Sequence, residues 1–316
     1  MRASYEYIFS KKTALPLIAL FCCLLWGLGF PIIKLGYEAL GIDSNDTFSQ
    51  LLFAGVRFGC GGAVMLIILT VKNKPKSLPS VKAIPSILLL ALVYSVLQYV
   101  FQYIGISRTA GSTSSIINQS GTFLLVFLSP LFIKEERLTA RKSIGAIIGF
   151  LGIIIVNFKE NMSFRLSFMG EGFIFLASLS SAIGYIISKK LTKNQNAATV
   201  TAIHQTIGGI ILTVVGLIGG GRFTSFGIKG FFILLFLTFS AAAANALWLT
   251  LIKHNDVATV SVYKLTVPFF GVLFSGIFLN EKIITLPNAL ALIAVCAGIA
   301  ITNGATLRNK GKGELK

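Results

Sequence analysis

Long apolar runs alternate with short polar spacers along almost the whole chain. Most of the runs approach or exceed about 20 residues, which is the length that an α-helix needs to cross the hydrocarbon core of a bilayer. The pattern therefore predicts an all-α integral membrane protein with ten transmembrane helices. The spacers are short, so neighbouring helices are expected to run antiparallel in a compact bundle. The runs cover residues 14–37, 48–71, 83–107, 111–133, 140–158, 168–188, 197–219, 229–252, 257–279 and 285–304.

The first apolar run, from Ala14 to Leu35, is too long for the apolar core of a typical signal peptide. It contains Trp26 and Pro31, and no small-residue cleavage site follows before the chain turns polar. We therefore expect this run to be the first membrane span.

The composition agrees with this pattern. The chain has 316 residues, of which 54% are hydrophobic and 12% are charged; about 25% charged residues is usual for soluble domains. The formal net charge is +17, but the lysines and arginines lie mostly in the spacers, with no basic domain and no interleaved aromatic residues. This distribution is typical of loops that flank membrane spans and argues against nucleic-acid binding.

The basic residues also predict the orientation of the chain. If the N-terminus is cytoplasmic, nineteen lysines and arginines fall on the cytoplasmic side and six on the opposite side. Such a bias is typical of cytoplasmic loops. We expect a multi-pass protein of the cytoplasmic (plasma) membrane with both termini, residues 1–13 and 305–316, in the cytoplasm. Whether it is a monomer or a homodimer is left open.

Nothing in the sequence indicates a cofactor, a metal site or an enzyme. The four cysteines lie inside apolar runs without metal-ligand spacing, and we expect them to be buried thiols. No HExxH or GxSxG motif and no glycine-rich phosphate loop is present. His254 and Asp256 straddle a loop but have no nucleophile placed with them. The cysteines are Cys22, Cys23, Cys60 and Cys296.

The two halves of the chain resemble each other. After a shift of 146 residues, FIKEERLTARKSIGAIIGFLGIIIVN (132–157) lies without gaps over FLNEKIITLPNALALIAVCAGIAITN (278–303). A shift of 147 pairs Arg57 with His204. Five spans per repeat is an odd number, so the second repeat must enter the membrane in the opposite sense. Inverted repeats are the architecture of many secondary transporters, whose substrate site lies near the midplane between the halves.

Several stretches resemble the drug/metabolite transporter superfamily, specifically its EamA-like ten-helix transporters. LLWGLGFPIIK in the first span is similar to that family's opening helix, and Arg57 stands where its second helix usually carries arginine. PFFGVLFSGIFLNEKI is similar to the signature that closes the ninth helix, from Pro268 to Glu281. The resemblance implies a first repeat over 14–158 and a second, inverted repeat over 168–304, around a central cavity.

The two repeats differ at one position that matters for helix geometry. Thr122 stands where the repeat partner of Pro268 falls, whereas the family often has proline in both places. Proline therefore predicts a helix break in the ninth span only. In the fourth span, Pro130 predicts a kink about two turns further along.

Lys264 interrupts the apolar ninth span about 10 Å from its start. A lysine at this depth either extends to the headgroups or lines a watery cavity. Ser261 and Pro268 lie on the same helical face, and Tyr263 is adjacent. Pro268 also removes the N–H that would bond the Lys264 carbonyl. These neighbours favour the cavity.

Polar residues recur at helical spacing in other spans as well. They either line the cavity or hydrogen-bond one helix to another. Trp26 has the same two alternatives. Together with Lys264, the candidate cavity residues are Tyr263, Ser261, Asn118, Gln119, Ser115, Gln98, Gln102, Tyr94, Tyr99, Asn245, Trp248 and Trp26.

Arg57 and His204 form a pair under the repeat, with a structural or a coupling role. Arg57 can hold carbonyl groups of neighbouring helices, and His204 can either hydrogen-bond or relay a proton. All eleven acidic residues fall in loops, tails or span ends, so coupling through a deep carboxylate is not expected.

The sequence therefore predicts a secondary transporter that moves a small metabolite, most simply an amino acid or another carboxylate, out of the cell by alternating access. A sugar-phosphate, nucleotide-sugar or drug transporter is the alternative; a polytopic enzyme or a non-transporting scaffold is more remote. The expected partners are the small-molecule substrate and the lipid bilayer.

Overall fold

The structure is a computed structural model that describes residues 14–73, 79–133, 138–157, 166–254, 260 and 263–313. The described residues are helical apart from short turns and loops, and they contain no β-strand. We number the helices in chain order. They are α1 (Ala14–Ala39), α2 (Thr47–Asn73), α3 (Val81–Arg108), α4 (Gly111–Phe132), α5 (Ala140–Ile155), α6 (Phe168–Thr192), α7 (Ala197–Ile218), α8 (Ile228–His254), α9 (263–279) and α10 (Leu286–Gly313).

Each apolar run of the sequence overlaps one of these helices. Seven of them, namely α1 to α4 and α6 to α8, are long and apolar enough within the described residues to cross a membrane. The helix α5 has 16 residues, and α9 and α10 have shorter apolar segments, Thr266–Leu279 and Leu286–Thr302. The prediction of an all-α membrane protein with two inverted five-helix repeats is confirmed.

The last helix does not end where the apolar run ends. Its backbone remains helical to Gly313, whereas the pattern predicts an end at residue 304. Hydrophobicity reports where a helix leaves the apolar environment, but the backbone can continue through polar residues that tolerate helix well, such as arginine and lysine.

Irregular turns lie within α4 and at the start of the described part of α9. In α4, a turn at Asn118 and Gln119 separates Gly111–Ile117 from Ser120–Phe132. In α9, a 3₁₀ turn at Tyr263–Leu265 comes directly before Thr266–Leu279. The 146-residue shift places Asn118 on Lys264, so the two turns lie at equivalent positions of the repeats.

The expectation that α4 has no break was therefore wrong. Pro130 lies inside the helical segment Ser120–Phe132, and the kink expected there stays a prediction. The interruption of α4 needs no proline, because the hydrogen-bond spacing changes there. The Asn118 N–H still bonds the carbonyl four residues back, whereas the Gln119 N–H bonds the Ile116 carbonyl, three residues back, at 3.1 Å.

The helix α3 carries another irregularity. Residues Ala91–Leu97 form a π-helical segment between two α-helical ones, and α6 begins with a short π turn at Phe168–Gly172. Segments of this kind widen the helix locally and are frequent at functional sites.

The chain divides into two compact units, and each takes segments from both halves of the sequence. Unit 1 comprises Met1–Phe30, Gly111–Arg165 and Ala243–Lys316. Unit 2 comprises Pro31–Ala110 and Leu166–Ala242.

Unit 1 contains a close crossing of α5 and α10. Gly298 of α10 lies directly against the backbone of Gly145 and Gly149 of α5, so a side chain at Gly298 would overlap α5, and one at Gly145 would overlap α10. Without water to drive association, helices in a membrane pack through such small residues.

Unit 2 contains a corresponding crossing of α2 and α7. Gly209 of α7 lies against Gly59, and Gly55 of α2 lies against the backbone at Thr213. Since α2 and α7, like α5 and α10, occupy equivalent places in the two repeats, each unit contains a helix packed on its own repeat counterpart.

The loops of unit 2 confirm the antiparallel course of its helices. At one end, the Thr224 hydroxyl donates to the Gly41 carbonyl at 2.7 Å, and Arg108 Nε donates to the Ser44 carbonyl at 3.3 Å. At the other end, the Ser80 N–H donates to Gln195 Oε1 at 3.2 Å.

Candidate functional site

The amine of Lys264 lies against two tryptophan rings in unit 1. Its Nζ is 5.4 Å from the ring centroid of Trp248 and 5.8 Å from that of Trp26. The two indoles are themselves in contact, with centroids 5.0 Å apart and planes tilted by 60°. A cation within about 6 Å of an aromatic face is attracted by the ring quadrupole. The structure therefore brings together three residues that the sequence places in different spans.

The backbone beside Lys264 is held by hydrogen bonds from side chains. The Tyr263 carbonyl accepts from the Thr266 hydroxyl at 2.7 Å and from the Cys23 thiol of α1 at 3.2 Å. Pro268 is buried in the first turn of Thr266–Leu279 and has no N–H for the Lys264 carbonyl. The 3₁₀ turn that carries Lys264 is thus fixed to α1.

The surroundings of this turn are almost entirely apolar. One buried cluster joins α1, α8 and α9 and includes Ala19, Cys22, Leu251 and Val267 beside Trp248. Among the described residues, no carboxylate is paired with Lys264; its contacts are with the rings of Trp26 and Trp248 and, electrostatically, with Cys23. An ammonium group has three N–H donors, and none of these described contacts is a hydrogen bond from the amine, so an anionic group could accept from it.

The polar residues predicted on α4 lie around its interruption. Ser115 is fully buried; its hydroxyl donates to the Ser112 carbonyl at 2.7 Å, and its side chain packs on Gly271 of α9. Asn118 is half-buried and Gln119 is buried at the turn itself. Ser115 thus takes part in packing of α4 on α9.

The structure says less about the surroundings of two further candidates in unit 1. Asn245 lies half-buried on α8, one turn before Trp248. Ser261 lies outside the described residues.

Arg57 is buried in unit 2 and is held by neutral groups. Its Nε donates to the Leu237 carbonyl of α8 at 3.2 Å, and its Nη1 donates to the Tyr103 hydroxyl of α3 at 2.5 Å. The guanidinium also lies 4.8 Å from the Phe58 ring centroid. Tyr37 donates in turn to the Tyr103 carbonyl at 2.9 Å. Arg57 therefore connects α2, α3 and α8.

His204 is buried on α7 and contacts the π-helical segment of α3. Its Nδ1 is 2.8 Å from the Ser95 hydroxyl, and its ring centroid is 5.5 Å from that of Tyr94. Gly208 of α7 and Gly184 of α6 lie directly against Ser95 and Tyr94. The π-helical segment is thus enclosed by α6 and α7.

The polar side chains predicted on α3 have different environments. Tyr99 stacks on Phe58 with centroids 3.6 Å apart and pairs with the side chain of Gln205. Gln98 and Gln102 are half-buried, and the carbonyl oxygen of each side chain is buried without a hydrogen-bond partner. Such acceptors are costly unless a ligand or water satisfies them.

Glu281 has partners that its position at the end of a span did not predict. Its carboxylate accepts hydrogen bonds from the first residues of α4, Gly111 and Ser112. The pair is separated by about 170 positions, so no local pattern marks it.

The expectation of buried thiols is confirmed for Cys22 and Cys23 but is wrong for Cys60, which is exposed on α2 because its side chain faces away from the packed helices. The Cys23 thiol also donates a hydrogen bond to the Tyr263 carbonyl.

In the part of the chain that the structure describes, no group of three or more histidine, cysteine, aspartate or glutamate side chains could hold a metal ion.

Together these features define a class of protein. It is a multi-pass helical membrane protein with two inverted repeats, irregular turns and charged side chains inside its spans, as secondary transporters have. The chain belongs to the EamA-like transporter family, which matches residues 14–158 and 168–304. The resemblance stated from the sequence is confirmed.

Several curated relatives are transporters by name. An uncharacterized transporter of Bacillus subtilis, YvbV, is 27% identical over 296 residues, which cover 92% of each chain. A probable amino-acid metabolite efflux pump of Escherichia coli is 23% identical over 297 residues, 90% of this chain and 93% of the pump. A crystal structure of a protein 14% identical to this chain superimposes with a TM-score of 0.67 over 94% of this chain and 99% of that one, which shows the same fold.

Proposed function

We propose that this transporter exports a small carboxylate or zwitterion, such as an amino acid, across the cytoplasmic membrane. The repeats 14–158 and 168–304 would alternate in access, and both termini would be cytoplasmic. Lys264 would bind the carboxylate of the substrate, and Trp26 and Trp248 would contact its apolar part. The other polar residues predicted from the sequence on α3, α4 and α8 would contribute further contacts.

The observation that carries this proposal is the environment of Lys264. A charged group inside a span costs about 2.5–3.5 kcal/mol on insertion scales. The aromatic contacts offset part of this cost, and no described carboxylate offsets the rest. A substrate carboxylate would supply the missing charge, because hydrogen bonds to ionised groups are the stronger ones.

The positive charge of Lys264 also favours some of the candidate substrates over others. A cationic drug would meet Lys264 as a like charge. A sugar phosphate usually requires several convergent cations, and Arg57, the other intramembrane cation with described contacts, is engaged by Leu237 and Tyr103. The relative from Escherichia coli, named as a probable amino-acid metabolite efflux pump, supports the amino-acid class.

The acidic residues that the structure describes bear on the energy source. Glu38, Asp43, Asp46, Glu171 and Glu281 lie in loops or in the terminal turns of helices. We therefore propose that the driving force is the substrate gradient, or a proton carried by His204 or by the substrate itself.

The test is transport in proteoliposomes with labelled neutral amino acids, a labelled monocarboxylate and a cationic dye. Lys264→Met keeps the length and apolar character of the side chain and removes its charge, and Lys264→Arg keeps the charge. Because a hydrogen bond to a charged group contributes about 1.5–3 kcal/mol, we expect Lys264→Met to lower carboxylate transport by about 10- to 100-fold. Lys264→Arg should retain more of the activity.

The matched control is Lys229→Met, at an exposed position at the start of α8, which should transport like wild type. A pH jump in the same vesicles would reveal proton movement. Movement of the dye, without any effect of the protein on amino acids or the monocarboxylate, would show that the substrate class is wrong.

A further inference from the structure

The carboxylate of Glu281 lies at the first turn of α4. Its Oε1 accepts from the Gly111 N–H at 2.7 Å. Its Oε2 accepts from the Ser112 N–H at 3.0 Å and from the Ser112 hydroxyl at 2.6 Å. Both oxygens are therefore used, and three donors of one turn are satisfied by one side chain.

These hydrogen bonds join the start of α4 to the end of α9. Glu281 follows the last residue of α9, Leu279, by two positions. Alongside the carboxylate, the backbone of Gly111 lies against the side chains of Ser275 and Leu279. One turn further along α4, the side chain of Ser115 lies against Gly271. The carboxylate thus closes one end of a packed contact between α4 and α9.

The segment that Glu281 holds is short and leads directly to the interruption of α4. Gly111–Ile117 has seven residues, and Asn118 follows it at the turn that is equivalent to Lys264. A helix of seven residues has few internal hydrogen bonds, since its first four N–H groups have no partner within the helix. Its geometry depends on the groups that hold it, and Glu281 supplies the charged ones.

We propose that Glu281 is a positioning residue for transport, which acts on the substrate site through α4. Its carboxylate fixes the first turn of α4 against α9 and thereby sets the position of the Asn118–Gln119 turn. This role extends the proposed function, because it connects a residue at the end of a span with a turn inside another span.

The first experiment is hydrogen exchange of the purified protein in detergent, which needs no substrate. Glu281→Gln replaces one carboxylate oxygen with a donor that cannot accept from the Ser112 N–H. We expect the amides of residues 111–117 to exchange about tenfold faster in this variant, and Glu281→Asp to restore part of the protection. The control is Glu171→Gln, because the Glu171 carboxylate accepts from the Ser167 N–H at the start of α6. Exchange of 111–117 should be unchanged in this control, and equal exchange in wild type and Glu281→Gln would overturn the proposal.

The second experiment reports the position of the turn itself. Asn118→Cys is introduced with and without Glu281→Gln, and the rate of N-ethylmaleimide modification is measured at residue 118 in membrane vesicles. A Ser80→Cys variant, exposed in the loop before α3, serves as the reference in parallel samples. We expect Glu281→Gln to change the rate at residue 118 at least fivefold relative to residue 80. An unchanged ratio would mean that Glu281 caps α4 without positioning the turn.

The third experiment separates positioning from binding. In proteoliposomes with the labelled amino acids, Glu281→Gln should lower the maximal rate about tenfold and leave KM within about threefold, with partial rescue by Glu281→Asp. A wild-type maximal rate would refute the role in transport, as would a loss that matches the loss of folded protein in size-exclusion chromatography. If wild type moves none of these solutes, the proposed function fails, whereas exchange and alkylation still decide whether Glu281 positions the turn.

Discussion

Arg57 illustrates how a charged residue is accommodated within a span. Its guanidinium is buried, yet its described hydrogen bonds go to a backbone carbonyl and a tyrosine hydroxyl rather than to an anion. The hydroxyl of Tyr103 is thus the one side-chain acceptor among these partners. Arg57 therefore depends on Tyr103 more than an exposed arginine would depend on any single neighbour.

This dependence can be measured with Tyr103→Phe, which removes only the hydroxyl. Because a buried donor loses a charge-assisted hydrogen bond, we expect the free energy of unfolding to fall by about 1.5–3 kcal/mol. The comparison is Tyr37→Phe, which removes the hydrogen bond between neutral groups that Tyr37 donates to the Tyr103 carbonyl and should lower the free energy of unfolding by about 0.5–1.5 kcal/mol. Both values come from denaturation in detergent micelles, and equal effects would contradict the role of the Arg57–Tyr103 bond.

At the scale of helices, glycine sets how closely neighbours approach. The crossing of α2 and α7 places Gly209 against the backbone of Gly59, and a methyl group there would overlap a backbone nitrogen. Backbone atoms cannot move aside as the end of a side chain can. At Gly29 on α1, no atom lies within 4 Å of the position that a methyl group would occupy. An alanine at this position therefore meets open space.

The same change at these two glycines should have opposite effects. Gly209→Ala should destabilise the protein by about 1–3 kcal/mol, as overpacking does. Gly29→Ala should be neutral or stabilising by up to about 1 kcal/mol, because alanine favours helix. Thermal unfolding of both purified variants provides the measurement. A destabilised Gly29→Ala with an unchanged Gly209→Ala would show that the crossing is not closely packed.

Hydrophobic patterning predicted the existence of the helices because it follows directly from burial in lipid. It did not predict the interruption of α4, since Asn118 and Gln119 carry no proline or glycine signal and the change in hydrogen-bond spacing is set by packing. The aromatic partners of Lys264 were proposed from sequence only as members of one cavity. The structure adds that Trp26 and Trp248 touch each other and flank the amine. The bond between Glu281 and α4 depends on tertiary contact, which composition and periodicity do not report.

At the scale of the whole molecule, the charge distribution and the loop contacts make one prediction about topology. Leu40 and Ser225 are hydrogen-bonded at one end of unit 2, and Ser80 and Gln195 at the other. The positive-inside bias assigns the first end to the outside and the second to the cytoplasm.

Single cysteines introduced for labelling would test this assignment. Ser44→Cys and Ser225→Cys should react with an impermeant maleimide on intact cells, whereas Ser80→Cys and Asn194→Cys should react only after permeabilisation. All four positions are exposed in the structure. Labelling of the second pair on intact cells would reverse the orientation, and labelling of one member of each pair would contradict the helix count between them.

The turns at Asn118 and Lys264 occupy equivalent positions of the repeats but differ in chemistry. One copy presents an amide at Asn118 and the other an ammonium at Lys264, although only the second is followed by a proline in the next turn. Duplication has therefore given one polypeptide two versions of the same turn, and each can mutate independently of the other. If Lys264 binds the solute as proposed, a substitution at that one side chain would alter solute preference while the paired architecture of the repeats stays unchanged.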